Sequence, residues 1–216
     1  MKMLSIVRPL VITSAFLACG LAQANLIQNG SFENGTDPGL FTKLVAVNST
    51  SITDWTVSAG TIDYIGTYWQ AAEGARSIDL VGDGGLLGTL SQTFNTTIGS
   101  LYTVQFAMAG NPDGGVKRMK VLAGGESPEF AFDTNGKSTT DMGWETKSFQ
   151  FTALAAQTTL SFEALTAGEC CYGPALDNVI VEAQENTVPE PASSLLLGLS
   201  LAGLGWSRRI RQQTAG

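Results

Sequence analysis

The chain has 216 residues, with 12 basic and 19 acidic side chains and no histidine, which gives a formal net charge of −7. The lack of histidine excludes Ser-His-Asp and Cys-His catalysis and every zinc or iron site with histidine ligands. The acidic balance argues against nucleic acid as a partner, because a negative surface repels the phosphate backbone.

The first 24 residues have the pattern of a secretory signal peptide. Lys2 and Arg8 stand in an N-terminal stretch, an apolar run covers residues 10–21, and Ala22-Gln23-Ala24 follows as an A-x-A cleavage site. We therefore expect the secretion machinery to export the chain and a peptidase to cut between Ala24 and Asn25.

Residues 25–184 predict one all-β domain. On one face of residues 101–108 lie Tyr102, Val104, Phe106 and Met108, with polar residues between them. Similar strand patterns occur at residues 76–82, 118–124, 147–153, 158–165 and 176–183. Turns rich in Gly, Asn and Asp separate the strands, and no segment shows a long 3.6-residue period. This pattern predicts a jelly-roll β-sandwich.

The end of the chain predicts a membrane anchor. A linker at residues 185–191 ends in Pro189, Glu190 and Pro191, and residues 192–206 are apolar apart from three serines. That run is just short of the roughly 17–25 residues that a spanning helix needs. Arg208 and Arg209 follow on the side that the positive-inside rule places in the cytoplasm. We expect a single apolar helix with a basic tail in residues 192–216.

These three parts, in this order, resemble the PEP-CTERM sorting signal of Gram-negative bacteria. The resemblance implies that an exosortase recognises the triplet, removes the tail and passes the protein from the inner membrane to the cell surface or extracellular matrix. Family members usually occur in organisms that secrete exopolysaccharide. Permanent anchoring without cleavage is the alternative. Loss of both ends would leave 7 basic and 18 acidic residues, a net charge of −11.

The segment between the processed ends resembles a second group of proteins. The resemblance is carried by NLIQNGSFENG at residues 25–35, WQAAEGARSIDLVGDGGLLGTLSQTF at residues 69–94 and CYGPALDNVIV at residues 171–181. This series is similar to the choice-of-anchor C family of bacterial surface proteins and to a related domain of unknown function in plant cell-wall proteins. Both resemble galactose-binding-like jelly rolls. The resemblance implies an extracellular β-sandwich associated with polysaccharide.

Aromatic residues are the best candidates for a sugar site, because the flat apolar faces of sugars stack on aromatic rings. Tyr64, Tyr68 and Trp69 stand together in DYIGTYWQ, which is typical of a glycine-containing loop. Trp55 is expected in the core, whereas Tyr68 and Trp69 suit the core and a sugar platform equally well. We expect a non-catalytic carbohydrate-binding-like module.

Two other functions stay open. A structural matrix protein needs no sugar site, and burial of both Tyr68 and Trp69 would favour it. A glycoside hydrolase needs only two carboxylates. A cleft in which two carboxylates converge, at least one with a raised pKa, would favour the enzyme.

The resemblance to carbohydrate-binding jelly rolls also implies a structural calcium ion, held by Glu33 in NGSFE and Asp177 in ALDNV. Calcium prefers six to eight oxygen ligands, and carboxylates and carbonyls of an irregular segment can supply them. The first and last strands of a jelly roll meet, so the two carboxylates could converge. The alternative is that Glu33 caps a turn and Asp177 binds backbone amides.

Cys170 and Cys171 are the two cysteines of the expected mature chain. An even number of cysteines in an oxidising compartment normally indicates a disulfide. Adjacent cysteines can close only a strained ring. We expect either a vicinal disulfide or two thiols that link different chains, with a slight preference for the ring.

Overall fold

The computed structural model describes residues 24–48, 50–113, 115–166 and 170–184. The predicted signal peptide, sorting triplet and C-terminal helix lie outside these residues. In the described part of the chain, no helix is long and apolar enough to cross a membrane.

Eleven strands make up the described domain. They are β1 (Phe41–Val45), β2 (Thr56–Ala59), β3 (Thr61–Ile65), β4 (Ser77–Asp79), β5 (Thr89–Asn95), β6 (Leu101–Gly110), β7 (Val116–Leu122), β8 (Glu129–Asp133), β9 (Glu145–Thr152), β10 (Gln157–Ala164) and β11 (Pro174–Ala183).

The strands form two antiparallel sheets packed face to face. One sheet has the order β1-β3-β4-β11-β6-β9, and the other has the order β2-β5-β10-β7-β8. Because neighbours in each sheet are mostly distant in sequence, the chain passes repeatedly between the two sheets. This arrangement confirms the predicted all-β jelly-roll sandwich.

Alternating side chains from both sheets fill the core. Tyr102, Val104, Phe106 and Met108 are buried, as the pattern of β6 predicts. Phe106 meets Phe162 of the opposite sheet edge to face, with ring centroids 5.2 Å apart. Trp55 is 1% exposed, and its indole N–H donates to the carbonyl of Asn29 over 2.9 Å. Its predicted place in the core is confirmed.

The sequence patterns did not identify β1, β2, β3, β5 and β8 as strands. The clearest physical reason concerns β3, in which all five residues are buried. A strand covered on both faces has no polar side to alternate with its apolar one.

The outward face of the six-stranded sheet, which points away from the core, carries a row of charged residues. Strand register places Lys43, Asp63 and Asp79 in one row across β1, β3 and β4. Next to this row, Phe41 pairs with Ile65 and Ile65 pairs with Ser77. Two carboxylates therefore lie side by side on this face.

Candidate functional site

The segment from Gly66 to Arg76, here the covering loop, crosses the outward face between β3 and β4. Its start is fixed to the residues before β1, because the amides of Gly66 and Tyr68 donate to the carbonyl of Leu40. Further along, the Trp69 indole N–H donates to Ser77 Oγ over 2.8 Å. The loop is thus held at its ends and in its middle against the sheet.

A pocket opens between the covering loop and the sheet. Its cavity volume is about 60 Å³, and it is lined by Phe41, Asp63, Ile65, Tyr68, Trp69, Asp79, Asn111, Cys171 and Tyr172. Tyr68 packs edge to face on Phe41 with ring centroids 5.5 Å apart. Aromatic walls with a few convergent polar groups are the common composition of small-molecule sites.

The three predicted sugar-binding aromatics have different positions. Tyr64 is 1% exposed and points into the core, where its hydroxyl donates to the Phe32 carbonyl over 2.6 Å. Its predicted stacking role is wrong, because side chains alternate along β3 and only Asp63 and Ile65 point outward. Trp69 lines the pocket but is 4% exposed, so its ring face is not free for a sugar. Tyr68 is half-buried at the pocket, and its sugar-binding role stays a prediction.

Asp79 lies at the floor of the pocket and connects its parts. Its Oδ1 accepts from the amides of Val81 and Gly173, each over 3.0 Å. Its Oδ2 accepts from Asn111 Nδ2 over 3.0 Å. Burial raises the pKa of Asp79 to about 8, although these donors act in the opposite direction. Both oxygens are occupied, so Asp79 is best understood as a positioning residue for the pocket floor.

Asp63 is the more available carboxylate. It is 6% exposed, and its Oδ1 accepts from the amide of Asp83 over 3.2 Å. Within the described residues, no hydrogen bond to its Oδ2 is found. Burial is the main cause that raises the pKa of Asp63 to about 6. This side chain therefore presents one free oxygen to a ligand in the pocket.

Two lysines lie near the pocket, and each has an oxygen partner. Lys43 Nζ is 3.8 Å from Asp83 Oδ2. Lys117 is buried, donates to the Asp113 carbonyl over 3.0 Å and lies 5.9 Å from the centroid of the Tyr172 ring. Burial lowers the pKa of Lys117.

Glu33 and Asp177 both bind the second half of the covering loop. Glu33 Oε1 accepts from the amides of Ala75 and Arg76, each over 2.8 Å. Asp177 Oδ2 accepts from Ala72 over 2.8 Å and from Glu73 over 3.0 Å. The sequence prediction that these two distant carboxylates act at one place in the fold agrees with this geometry.

The donor set around this pair fits amide binding. Asp177 Oδ1 accepts a third amide, that of Asn178, so three of the four carboxylate oxygens of the pair face N–H groups. The bonds match the alternative stated above, in which Glu33 caps a turn and Asp177 binds amides. Calcium at this pair stays a prediction, which thermal unfolding with and without a chelator would test.

Cys170 and Cys171 are free thiols whose sulfurs are 2.8 Å apart. The carboxylate of Asp83 lies next to them, with the three ligand atoms within 4.8 Å of one another. The contact with Cys170 is the main cause that raises the pKa of Cys171 to about 12. Cys171 and Tyr172 line one side of the pocket, so both sulfurs lie close to it.

The vicinal disulfide stays a prediction with a direct measurement. We expect the unreduced, exported monomer to be lighter than the reduced one by the mass of two hydrogen atoms, because the sulfurs already lie side by side. A disulfide-linked dimer would instead support thiols that join different chains. A monomer with two free thiols would contradict both forms.

Fold and pocket together define an all-β jelly-roll domain with a small aromatic and carboxylate-lined cleft. The chain belongs to the family described as "Protein of unknown function (DUF642)", whose profile matches residues 25–182. This confirms the resemblance to a jelly-roll domain of unknown function. The choice-of-anchor C assignment stays a prediction. The match begins at Asn25, the residue that the predicted cleavage would leave first.

A second profile, the PEP-CTERM protein-sorting motif, matches residues 187–209. The predicted sorting signal is confirmed, and the protein is an exported one destined for the cell surface.

The individual proteins that resemble this chain either share only a short part of their length with it or have low sequence identity to it. Halomucin of Haloquadratum walsbyi is 35% identical over 169 residues, which cover 76% of this chain and 2% of halomucin. The chain thus spans a very small part of that relative. Among solved structures, TmCBM61 in complex with β-1,4-galactotriose is 14% identical, covers 74% of this chain and 99% of its own, and has a TM-score of 0.48. The CBM22-1 xylan-binding domain of Paenibacillus barcinonensis Xyn10C is 17% identical. The match covers 76% of this chain and 97% of that domain, and its TM-score is also 0.48.

Proposed function

We propose that this exported domain binds polysaccharide outside the cell by packing one sugar residue on the mouth of the pocket under the covering loop, with one substituent of the sugar reaching inside. The observation that carries the proposal is the pairing of Tyr68 and Phe41 at the pocket mouth, above the polar groups of Asp63 and Asn111. Exopolysaccharide is the partner that the sorting motif and this pocket favour together.

The pocket matches the chemistry of a sugar. One face of a pyranose ring presents C–H groups that pack on an aromatic ring, and its edge presents hydroxyls that need hydrogen-bond partners. Phe41 is 41% exposed and Tyr68 is half-buried, so ring surface is available at the mouth. Deeper in the pocket, the free oxygen of Asp63 can accept from a hydroxyl.

One observation favours the glycosidase alternative, because Asp63 and Asp79 converge and both have raised pKa values. Hydrolysis of a glycosidic bond requires each of two carboxyl groups to reach the substrate. Asp79 is 1% exposed, and its oxygens already accept three hydrogen bonds. It cannot protonate a glycosidic oxygen without breaking the pocket floor, so binding is the better function for this geometry.

The test is the binding of secreted polysaccharides from the producing cells, measured by affinity electrophoresis and calorimetry. We expect Tyr68→Ala to weaken binding about tenfold, since loss of one stacked ring costs about 1.4 kcal/mol. Leu154→Ala is the matched control, because Leu154 is 71% exposed and lies outside the pocket lining.

Three outcomes separate the candidate functions. Equal weakening by Tyr68→Ala and Leu154→Ala would contradict the pocket as the binding site. Failure of the wild type to bind any secreted polysaccharide would favour the structural matrix protein. Release of reducing ends that Asp63→Asn abolishes would establish the glycosidase.

A further inference from the structure

We infer that the pocket selects a sugar residue that carries a free primary ammonium group, which makes a deacetylated hexosamine unit the preferred ligand. The inference rests on the proposed function, since it names the class of sugar that the same pocket would take. The observation behind it is the largely buried carboxylate of Asp63, whose Oδ2 has no hydrogen-bond partner among the described residues and is accessible in the aromatic-lined pocket.

The first step concerns the missing partner of the carboxylates. Within the described residues the ion pairs are Lys43–Asp83, Lys120–Glu163 and Lys147–Glu145, so neither Asp63 nor Asp79 is in one. A buried carboxylate without a cationic partner is costly. An ammonium group on the ligand would supply that partner at Asp63, whose Oδ2 is free.

The second step concerns the positive charges nearby. Among the described residues that line the pocket there is no lysine or arginine. Lys43 is paired with Asp83, and Lys117 donates to the Asp113 carbonyl. Neither lysine forms an ion pair with Asp63, and Lys43, which faces Asp63 across the strands, attracts that carboxylate only weakly, so a cationic ligand would not have to displace a side chain of the protein.

The third step concerns the walls. The face of an aromatic ring attracts a cation through its quadrupole, and Phe41, Tyr68 and Tyr172 surround the entrance to Asp63. A uronic acid would instead place its carboxylate against Asp63 and against these rings. The cavity volume is only about 60 Å³, space for a few water molecules, which favours a bare amine over a bulkier N-acetyl group.

The experiment compares oligosaccharides of one length in three forms, with a free amine, an N-acetyl group or a hydroxyl at the same carbon, in both gluco and galacto series. Calorimetry is done near pH 7, where Asp63 is mostly ionised and a primary amine keeps most of its protons, and at physiological ionic strength, where charges beyond about 8 Å are screened. We expect the amino form to bind about tenfold more tightly than the hydroxyl form.

Variants then locate the preference. Asp63→Asn is expected to remove it, so that the amino and hydroxyl forms bind the variant with equal affinity, and Asp63→Ser serves if the amide variant fails to fold. Glu129→Gln, which removes an exposed charge on β8 in the other sheet, should keep the preference. Loss of the preference in Glu129→Gln would show attraction to overall charge and overturn the inference.

The outcome also separates the inference from the function on which it rests. Equal or weaker binding of the amino form by the wild type overturns the inference and leaves the proposed carbohydrate binding intact. Failure to bind any of the oligosaccharides overturns the inference too, while the proposed function is then decided by the polysaccharides of the producing cells.

Discussion

Replacing Asp177 with alanine should lower the melting temperature of the domain by about 10 °C. The substitution leaves the amides of Ala72, Glu73 and Asn178 without their acceptor. Each buried donor that loses its partner costs about 1–3 kcal/mol, and water can reach the exposed Ala72 and Glu73, so the total loss is about 2–4 kcal/mol. For a domain of this size, 1 kcal/mol corresponds to about 2–4 °C.

Asp177→Asn is the matched control. The amide side chain keeps an oxygen for Ala72 and Glu73 but not a second acceptor for Asn178, so we expect about half of the loss. Thermal unfolding of both variants, followed by circular dichroism, gives the comparison. If alanine and asparagine cost the same, the negative charge of Asp177 matters rather than its acceptor atoms, and amide binding is contradicted.

The same melts decide whether Glu33 and Asp177 hold calcium. If the pair only binds amides, a chelator leaves the wild-type melting temperature unchanged. If calcium is bound, the chelator lowers the melting temperature of the wild type and has no effect on Asp177→Ala. A fall in the melting temperature on adding chelator, seen in the wild type but not in Asp177→Ala, would therefore support the calcium prediction.

Among the strands that the sequence patterns did not identify, β1 and β3 lack the alternation that made β6 visible. Strand β6 has polar residues on one face, so its apolar period is visible. Strand β3 is buried on both faces, and strand β1 lies at the sheet edge with one buried residue. Neither strand therefore has apolar residues at every second position on one face only. Both strands contribute residues to the pocket.

The pocket itself could be predicted only in part. Tyr68 was identified because three aromatics are adjacent in sequence, but Phe41 and Tyr172 come from segments that meet only through strand pairing. Gly74 was an available signal for the loop: its φ is +65°, and a Cβ there would lie 2.4 Å from Glu33 Oε1. The sequence shows that a glycine is present, but only the three-dimensional structure shows that Glu33 is the neighbour that requires it.

Three buried carboxylates make the stability of the domain depend on pH in a predictable direction. Each has an ordinary pKa of 3.8, and burial raises it to about 6 in Asp63, about 7 in Asp177 and about 8 in Asp79. Between pH 4 and pH 8 the folded domain therefore binds more protons than the unfolded chain, so the free energy of unfolding falls as the pH rises. The contribution is complete below the unfolded value and is lost above the folded one.

We expect the melting temperature to fall by at least about 5 °C between pH 5 and pH 8. One unit of pKa shift corresponds to about 1.4 kcal/mol, so even a small part of the combined shift of the three groups suffices for that change. Asp79→Asn, which removes the largest shift and retains an acceptor for Val81 and Gly173, should flatten the dependence. Glu129→Gln should leave it unaltered, because that carboxylate is exposed. A melting temperature that stays constant or rises over this range would mean that the three carboxylates are stabilised in their charged form, by a bound cation or by water.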